Sequence, residues 1–263
     1  MDSFQQDISR KRYIEQHLIT GLIGKPLYYY ESISSTMDVG RELIRKGVPE
    51  GTVVVTSEQK AGRGRLNRTW VSPPGVVAMS VILRPALSIV PQLIMIASLA
   101  VAGAIREHFQ LDAMIKWPND VLINGKKVCG ILIENEVMGN TVNSSNVGIG
   151  INVDFDPSKY PDIMQAATSL SHECGHSLNK DDVICAVLKK FDGLYLRVKA
   201  GNSVYEDWRD AMDVVGRLIR VKAGESVIEG MVEAVTYGGN LVVRRSDGRY
   251  CEVVVGDVTV IKS

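Results

Sequence analysis

Asn124-Gly125 narrows the fold before any other feature is considered. Asn-Gly is the favoured pair for a two-residue hairpin turn, because both central positions need positive φ. Here it joins the apolar run Val121–Ile123 to Cys129–Val137, so the sheet is at least partly antiparallel. Further strand-like runs are Leu27–Glu31, the β-branched Thr52–Thr56, Val76–Leu83, Met114–Lys116 and Ser145–Val153. Helical signals alternate with them. Ser34, Ser35 and Thr36 precede Val39, Leu43 and Ile44 as an N-cap precedes a helix, and Gly47 and Pro49 end it. Pro91–Phe109 reads as a mostly buried helix. Asp181–Lys199 carries Val183, Ile184, Val187, Leu188, Phe191, Leu194, Tyr195 and Val198 on one stripe.

Both ends of the chain differ from this middle. Phe4, Ile8, Ile14 and Leu18 suggest a short leading helix. After Met212 helical periodicity stops, and short β-rich runs alternate with Gly and Asp turns. The expected class is α+β, a mixed or antiparallel sheet flanked by helices. The division expected is a leading extension at 1–26, a main domain at 27–213 and a small all-β module at 214–263.

Lys+Arg and Asp+Glu each total 30, which provides no basic excess of the kind a nucleic-acid-binding domain usually carries. The four cysteines, Cys129, Cys174, Cys185 and Cys251, form no C-x-x-C pair, against a disulfide framework or a zinc ribbon. The first twenty residues mix charges among apolar positions, unlike a signal peptide. The most apolar stretch, Leu93–Ile105, falls short of a bilayer span. The expectation is a reduced, cytoplasmic protein that engages neither nucleic acid nor membrane.

Three segments carry candidate chemistry. In Gln59-Lys-Ala-Gly-Arg-Gly-Arg-Leu-Asn-Arg-Thr-Trp70, glycines let the backbone approach a ligand while Arg63 and Arg65 converge on it. Arginine binds phosphate oxygens bidentately, and Trp70 offers a face for a purine. A solvated basic loop has the same composition, so both readings stand. In Lys116-Trp-Pro-Asn-Asp120, proline makes a rigid corner at a strand end. There Asp120 suits Mg²⁺ and Asn119 a base or ribose, or both merely satisfy the local backbone. In Lys126-Lys-Val-Cys-Gly-Ile-Leu-Ile-Glu134, Lys127 follows the hairpin turn. It either neutralises a carboxylate attacking a phosphate or solubilises the hairpin. No P-loop occurs, and Val153 stands where a dinucleotide fingerprint needs its third glycine. Gly148-Ile-Gly150 reads instead as a central strand with small residues beside a pocket. His172-Glu-Cys-Gly-His176 has metal-ligand types, but in a polar loop without a fourth partner it reads as incidental.

Taken in order, Gly62-Arg-Gly-Arg65 with Trp70, Lys116-Trp-Pro-Asn-Asp120, Gly125-Lys-Lys-Val-Cys-Gly130 and Gly148-Ile-Gly-Ile-Asn152 resemble biotin–protein ligases. Ser34-Ser-Thr-Met37 upstream and Thr168-Ser-Leu170 downstream also match, from about residue 27 onward. The resemblance implies a ligase-like catalytic domain with a small SH3-like barrel at 214–263. It further implies ATP and Mg²⁺ as cofactors and biotin as substrate, converted to biotinyl-AMP and passed to a lysine of a biotin carboxyl carrier domain. By the same resemblance Ser35, Thr36, Met37, Gln59, Arg63, Gly64, Arg65, Lys127 and Gly130 contact biotin. Trp70, Asn119 and Asn152, with Arg63, Arg65, Lys116 and Lys127, contact ATP or the adenylate; Lys127, Arg63, Arg65 and Lys116 supply catalytic charge, and Asp120 supports the metal.

Two departures stand out. Asn67 replaces the loop's usual third glycine, although asparagine tolerates left-handed backbone. Met37 replaces a common asparagine, which removes a polar contact to biotin or leaves it to backbone. The rival readings are a lipoate–protein ligase, a biotin-sensing repressor and a noncatalytic biotin-binding module. About 26 residues ahead of the first strand are too few for a winged DNA-binding domain. Relatives include monomers and dimers, and an exposed sheet edge offers a surface for homodimer pairing.

Overall fold

In a computed structural model, which describes residues 3–164, 166–212, 214–223 and 226–261, the Asn124-Gly125 hairpin forms with φ of 52° and 75°. The strands ahead of it are β1 (Leu27–Ile33), β2 (Val53–Gln59), β3 (Val76–Leu83), β4 (Ala113–Lys116) and β5 (Asp120–Ile123), and β6 (Lys126–Met138) and β7 (Thr141–Asn152) follow. They form one seven-stranded sheet in the order β1-β2-β3-β7-β6-β5-β4. Only β1 and β2 run parallel, and every other pairing is antiparallel, so the sheet is mixed.

The pattern of burial follows from position in that order. All eight residues of β3 are buried, as befits a strand covered on both faces. On one face lie α1 (Ser3–His17), α3 (Leu93–Phe109) and α5 (Lys180–Lys199), which share the main core with the sheet. The opposite face carries α2 (Thr36–Arg45), where Leu43 packs with Val54 and Ile82. Ser35 caps α2 by accepting from the Met37 amide at 3.3 Å. The helical run Leu87–Phe109 is long and apolar enough to cross a membrane, but its α3 part packs inside the protein core. That run exceeds the Leu93–Ile105 stretch read from the sequence, because a 3-10 turn at Leu87–Gln92 precedes the helix.

Two short helices follow β7 on either side of α5: α4 (Leu170–Cys174) and α6 (Tyr205–Asp210). Beyond α6 the expected small β-domain is present. Strands β8 (Leu218–Ala223), β9 (Ser226–Val235), β10 (Leu241–Arg244), β11 (Tyr250–Val253) and β12 (Asp257–Val260) form an antiparallel sheet in the order β11-β10-β9-β8-β12. It docks on the main domain through indoles and a phenol: Trp117 Nε1 donates to Gly239 O at 2.7 Å, and the Tyr205 hydroxyl donates to Val235 O. The proposed boundary at 213–214 touches residue 213, which lies outside the described residues, as do 224, 225, 262 and 263. The leading helix is fixed firmly: Ile14 is fully buried, and Arg10 pairs with Asp181 at the start of α5 at 2.7 Å.

Candidate active site

Alternation along β7 and β6 builds the floor of the site. Gly148 and Gly150 of β7 and Gly130 and Leu132 of β6 line a cavity beneath the N-terminus of α2. Side chains on that strip would fill it. A Cβ on Gly150 would lie 2.5 Å from Trp70 Cε2, and one on Gly148 would lie 2.6 Å from Met37 Sδ. The Gly-Ile-Gly run is thus bare on one face so that a tryptophan and a thioether can lie on it.

The Gly-Arg segment arches over this floor as a small closed loop. Trp70 N–H donates to Gly62 O at 2.9 Å and Gly64 N–H to Arg68 O at 2.7 Å. At Gly62 a Cβ would meet Trp70 O at 2.3 Å, so this closure needs glycine. Asn67 takes φ of 58°, a left-handed backbone that its residue type tolerates. Leu66 beside it also sits at 54°, a region an unsubstituted leucine seldom adopts. From the loop's far end Arg68 forms an ion pair with Asp257 of β12.

Side chains from separate segments meet in the cavity. Ser35, Thr36, Met37, Gln59, Arg63, Gly64, Arg65, Lys127 and Gly130 line it, joined by Trp70 and Asn119. Gln59 Oε1 accepts from the Thr36 amide at 2.9 Å, and buried Ser80 donates to Thr36 Oγ1 at 2.9 Å. Arg65 Nη1 donates to the neutral Asn119 Oδ1 at 2.8 Å, and burial pulls its guanidinium below the usual arginine range. Lys127 Nζ lies 2.7 Å from Asp120 Oδ1, an ionic contact without the alignment of a directed hydrogen bond, and 5.4 Å from the Trp70 ring centre. The indole N–H of Trp70 is buried with no partner.

Three residues singled out in the sequence lie outside this lining. Lys116 ends β4 opposite Asp120 and opens onto a cleft beside β12. Asp120 reaches the site through its ionic contact with Lys127. Asn152 is buried and donates to Thr168 O at 2.9 Å, holding the segment after β7 against the start of β6. Sequence reasoning missed Ser80, Asp38 and Glu134. Their partners in the site, Thr36 for Ser80 and Arg63 for Asp38 and Glu134, lie on other elements, beyond any local signal. Among the described residues no group of three His, Cys, Asp or Glu side chains could hold a metal, the His172–His176 loop included.

Residues 29–154 match the biotin/lipoate A/B protein ligase family. This domain belongs to that family. Over 182 residues the chain is 43% identical to the bifunctional ligase/repressor BirA of Bacillus subtilis, covering 68% of this chain and 56% of that protein. The biotin–[acetyl-CoA-carboxylase] ligase of Paracoccus denitrificans is 39% identical over 146 residues, covering 52% of this chain and 60% of that protein. The matches thus span a little over half the length of these curated relatives. A solved structure of biotin protein ligase from Aquifex aeolicus in complex with biotin and ATP superposes with a TM-score of 0.77 at 28% identity, covering 91% of this chain and all of that one. The ligase-family domain therefore coincides with β1–β7 and with every residue of the cavity.

Proposed function

We propose that the chain is a biotin–protein ligase, which activates biotin with MgATP and passes it to a lysine of a biotin carboxyl carrier domain. The observation that carries this reading is the convergence of four distant motifs of a ligase-family domain on one cavity. In the first step a biotin carboxylate oxygen attacks the α-phosphorus, forming biotinyl-AMP and releasing pyrophosphate. Two anions must meet, so positive charge has to stand ready where they do. Lys127 and Arg65 are suited to this. Arg65 is held by a neutral amide rather than a carboxylate, which leaves its charge uncompensated by that contact. In the second step the uncharged ε-amine of the carrier lysine attacks the acyl carbon and AMP departs.

The remaining lining fits a ring, a chain and a nucleotide. Met37 and Leu132 give an apolar wall, Thr36 and Gln59 a polar one, and the unpartnered Trp70 N–H a donor for an acceptor on the ligand. A lone Asp120 already facing Lys127 is a poor resident metal site, so Mg²⁺ fits better as part of MgATP. Lys116, outside the cavity, acts in this reading only on a phosphate tail that extends toward the β12 cleft. The test is pyrophosphate release and label transfer to a carrier domain with ATP, Mg²⁺ and biotin, with lipoate in parallel. Biotin-dependent release with label on the carrier lysine is expected. Release with lipoate alone would transfer the assignment to a lipoate ligase, and binding without release would leave a noncatalytic module.

A further inference from the structure

Arg63, Asp38, Arg41 and Glu134 form a closed ring of alternating charge at the mouth of the cavity. Arg63 Nη2 lies 2.9 Å from Asp38 Oδ1 and 3.6 Å from Glu134 Oε1. Arg41 completes the ring, with Nη1 3.4 Å from Asp38 Oδ1 and Nη2 3.1 Å from Glu134 Oε2. Three elements are tied together in this way: the Gly-Arg loop by Arg63, α2 by Asp38 and Arg41, and β6 by Glu134. Two cations and two anions cancel, so Arg63 is already neutralised before any ligand arrives.

From this geometry we infer that Asp38, Arg41 and Glu134 are positioning residues that latch the Gly-Arg loop over the cavity through Arg63. The inference rests on the proposed ligase reading for its consequence in turnover, although the latch itself does not. Arg63 has its neighbouring carboxylates as counter-ions, which leaves the screening of phosphate to Arg65 and Lys127. Each side chain of the ring is 37–41% exposed, so the single contacts are weak and salt-sensitive. Their joint effect is to bias an equilibrium between a held and a lifted loop. That suits a loop which must rise to admit a ligand and then exclude water from a reactive anhydride.

The test uses the full chain with Asp38→Asn and Glu134→Gln combined, surface changes that preserve shape. In the absence of ligand, amide hydrogen exchange of residues 61–69 should quicken about fivefold in the variant. In the unaltered chain, 0.5 M NaCl should do the same on the order of fivefold, while the variant should barely respond to salt. In the ligase assay KM for biotin should rise about fivefold while kcat stays within about twofold, with more free biotinyl-AMP released. Glu134→Asp alone should restore most of the KM. Exchange that is unchanged in the variant overturns the latch. So does a fall in kcat at constant KM, which would make Arg63 a direct catalytic cation. If the unaltered chain releases no pyrophosphate with biotin, the ligase reading fails, and the exchange measurement still decides the latch.

Discussion

Lys127 is held from two sides, by the Asp120 carboxylate and by the face of Trp70. Replacing it with alanine removes the cation best placed between two reacting anions. Adenylate formation by Lys127→Ala should fall about a hundredfold or more, while thermal unfolding stays near that of the parent. An intact rate in a pyrophosphate assay would remove the assigned role. Gly150→Ala attacks the site from beneath, since the new Cβ would lie 2.5 Å from Trp70 Cε2, inside van der Waals contact. Trp70 fluorescence should shift and biotin binding weaken at least about tenfold, both readable in one titration. Away from the site, Glu50 accepts from Tyr195 at 2.6 Å and Lys199 at 2.7 Å. Burial raises its carboxyl, but these bonds and the Arg84 amide outweigh burial and leave it below the usual glutamate range. With the folded value depressed, its stabilisation is present above the unfolded value and is lost as pH falls through the folded one. Glu50→Gln should therefore cost about 1 kcal/mol at neutral pH, roughly 2–4 °C in Tm, and the deficit should shrink on acidification.

Elements were legible wherever a local rule applied. The Asn124-Gly125 turn, the Ser35 cap, the β3 run that is apolar but for Ser80, and the one-sided stripe of α5 each follow from a few neighbouring residues. The boundaries of β6 ran longer than expected because Lys126 and Lys127 pair across the hairpin despite their charge. Site residues on the Gly-Arg loop and the Gly-Ile-Gly strand were legible because glycine there answers a close approach. Side chains that act across the fold were not. Nothing near Trp117 announces that its indole reaches Gly239, 122 positions later, or that Arg68 meets Asp257. The leading helix shows the same limit, since its attachment depends on Arg10 reaching Asp181, Ser57 and the Tyr29 ring. Arg10→Ala leaves Asp181 nearly buried without its cation and should cost about 2 kcal/mol. The segment 18–26 should become the first site cut in limited proteolysis, and continued resistance there would show that packing of Ile14 alone suffices.

At the scale of the whole chain, the seven-stranded sheet and the terminal β-domain share buried indoles rather than a bare linker. Trp208 Nε1 donates to Ser98 Oγ of α3 at 3.0 Å, beside the Gly239 turn that Trp117 holds. Calorimetry of the intact chain should thus show one cooperative transition, and Trp117→Phe should broaden or split it. The Arg68–Asp257 pair extends that union to the loop over the cavity, so the terminal domain touches the candidate site and not only the core. The position of α1 carries a consequence for how such a chain is made. Arg10 leaves the ribosome 171 residues ahead of the aspartate that receives it. At ordinary synthesis rates this is a wait of roughly 10–30 seconds, during which α1 can lie against β1 but lacks the α5 surface that completes its packing. Helix α1 is therefore among the last elements to settle fully, and a nascent chain stalled before α5 should leave α1 open to chaperones.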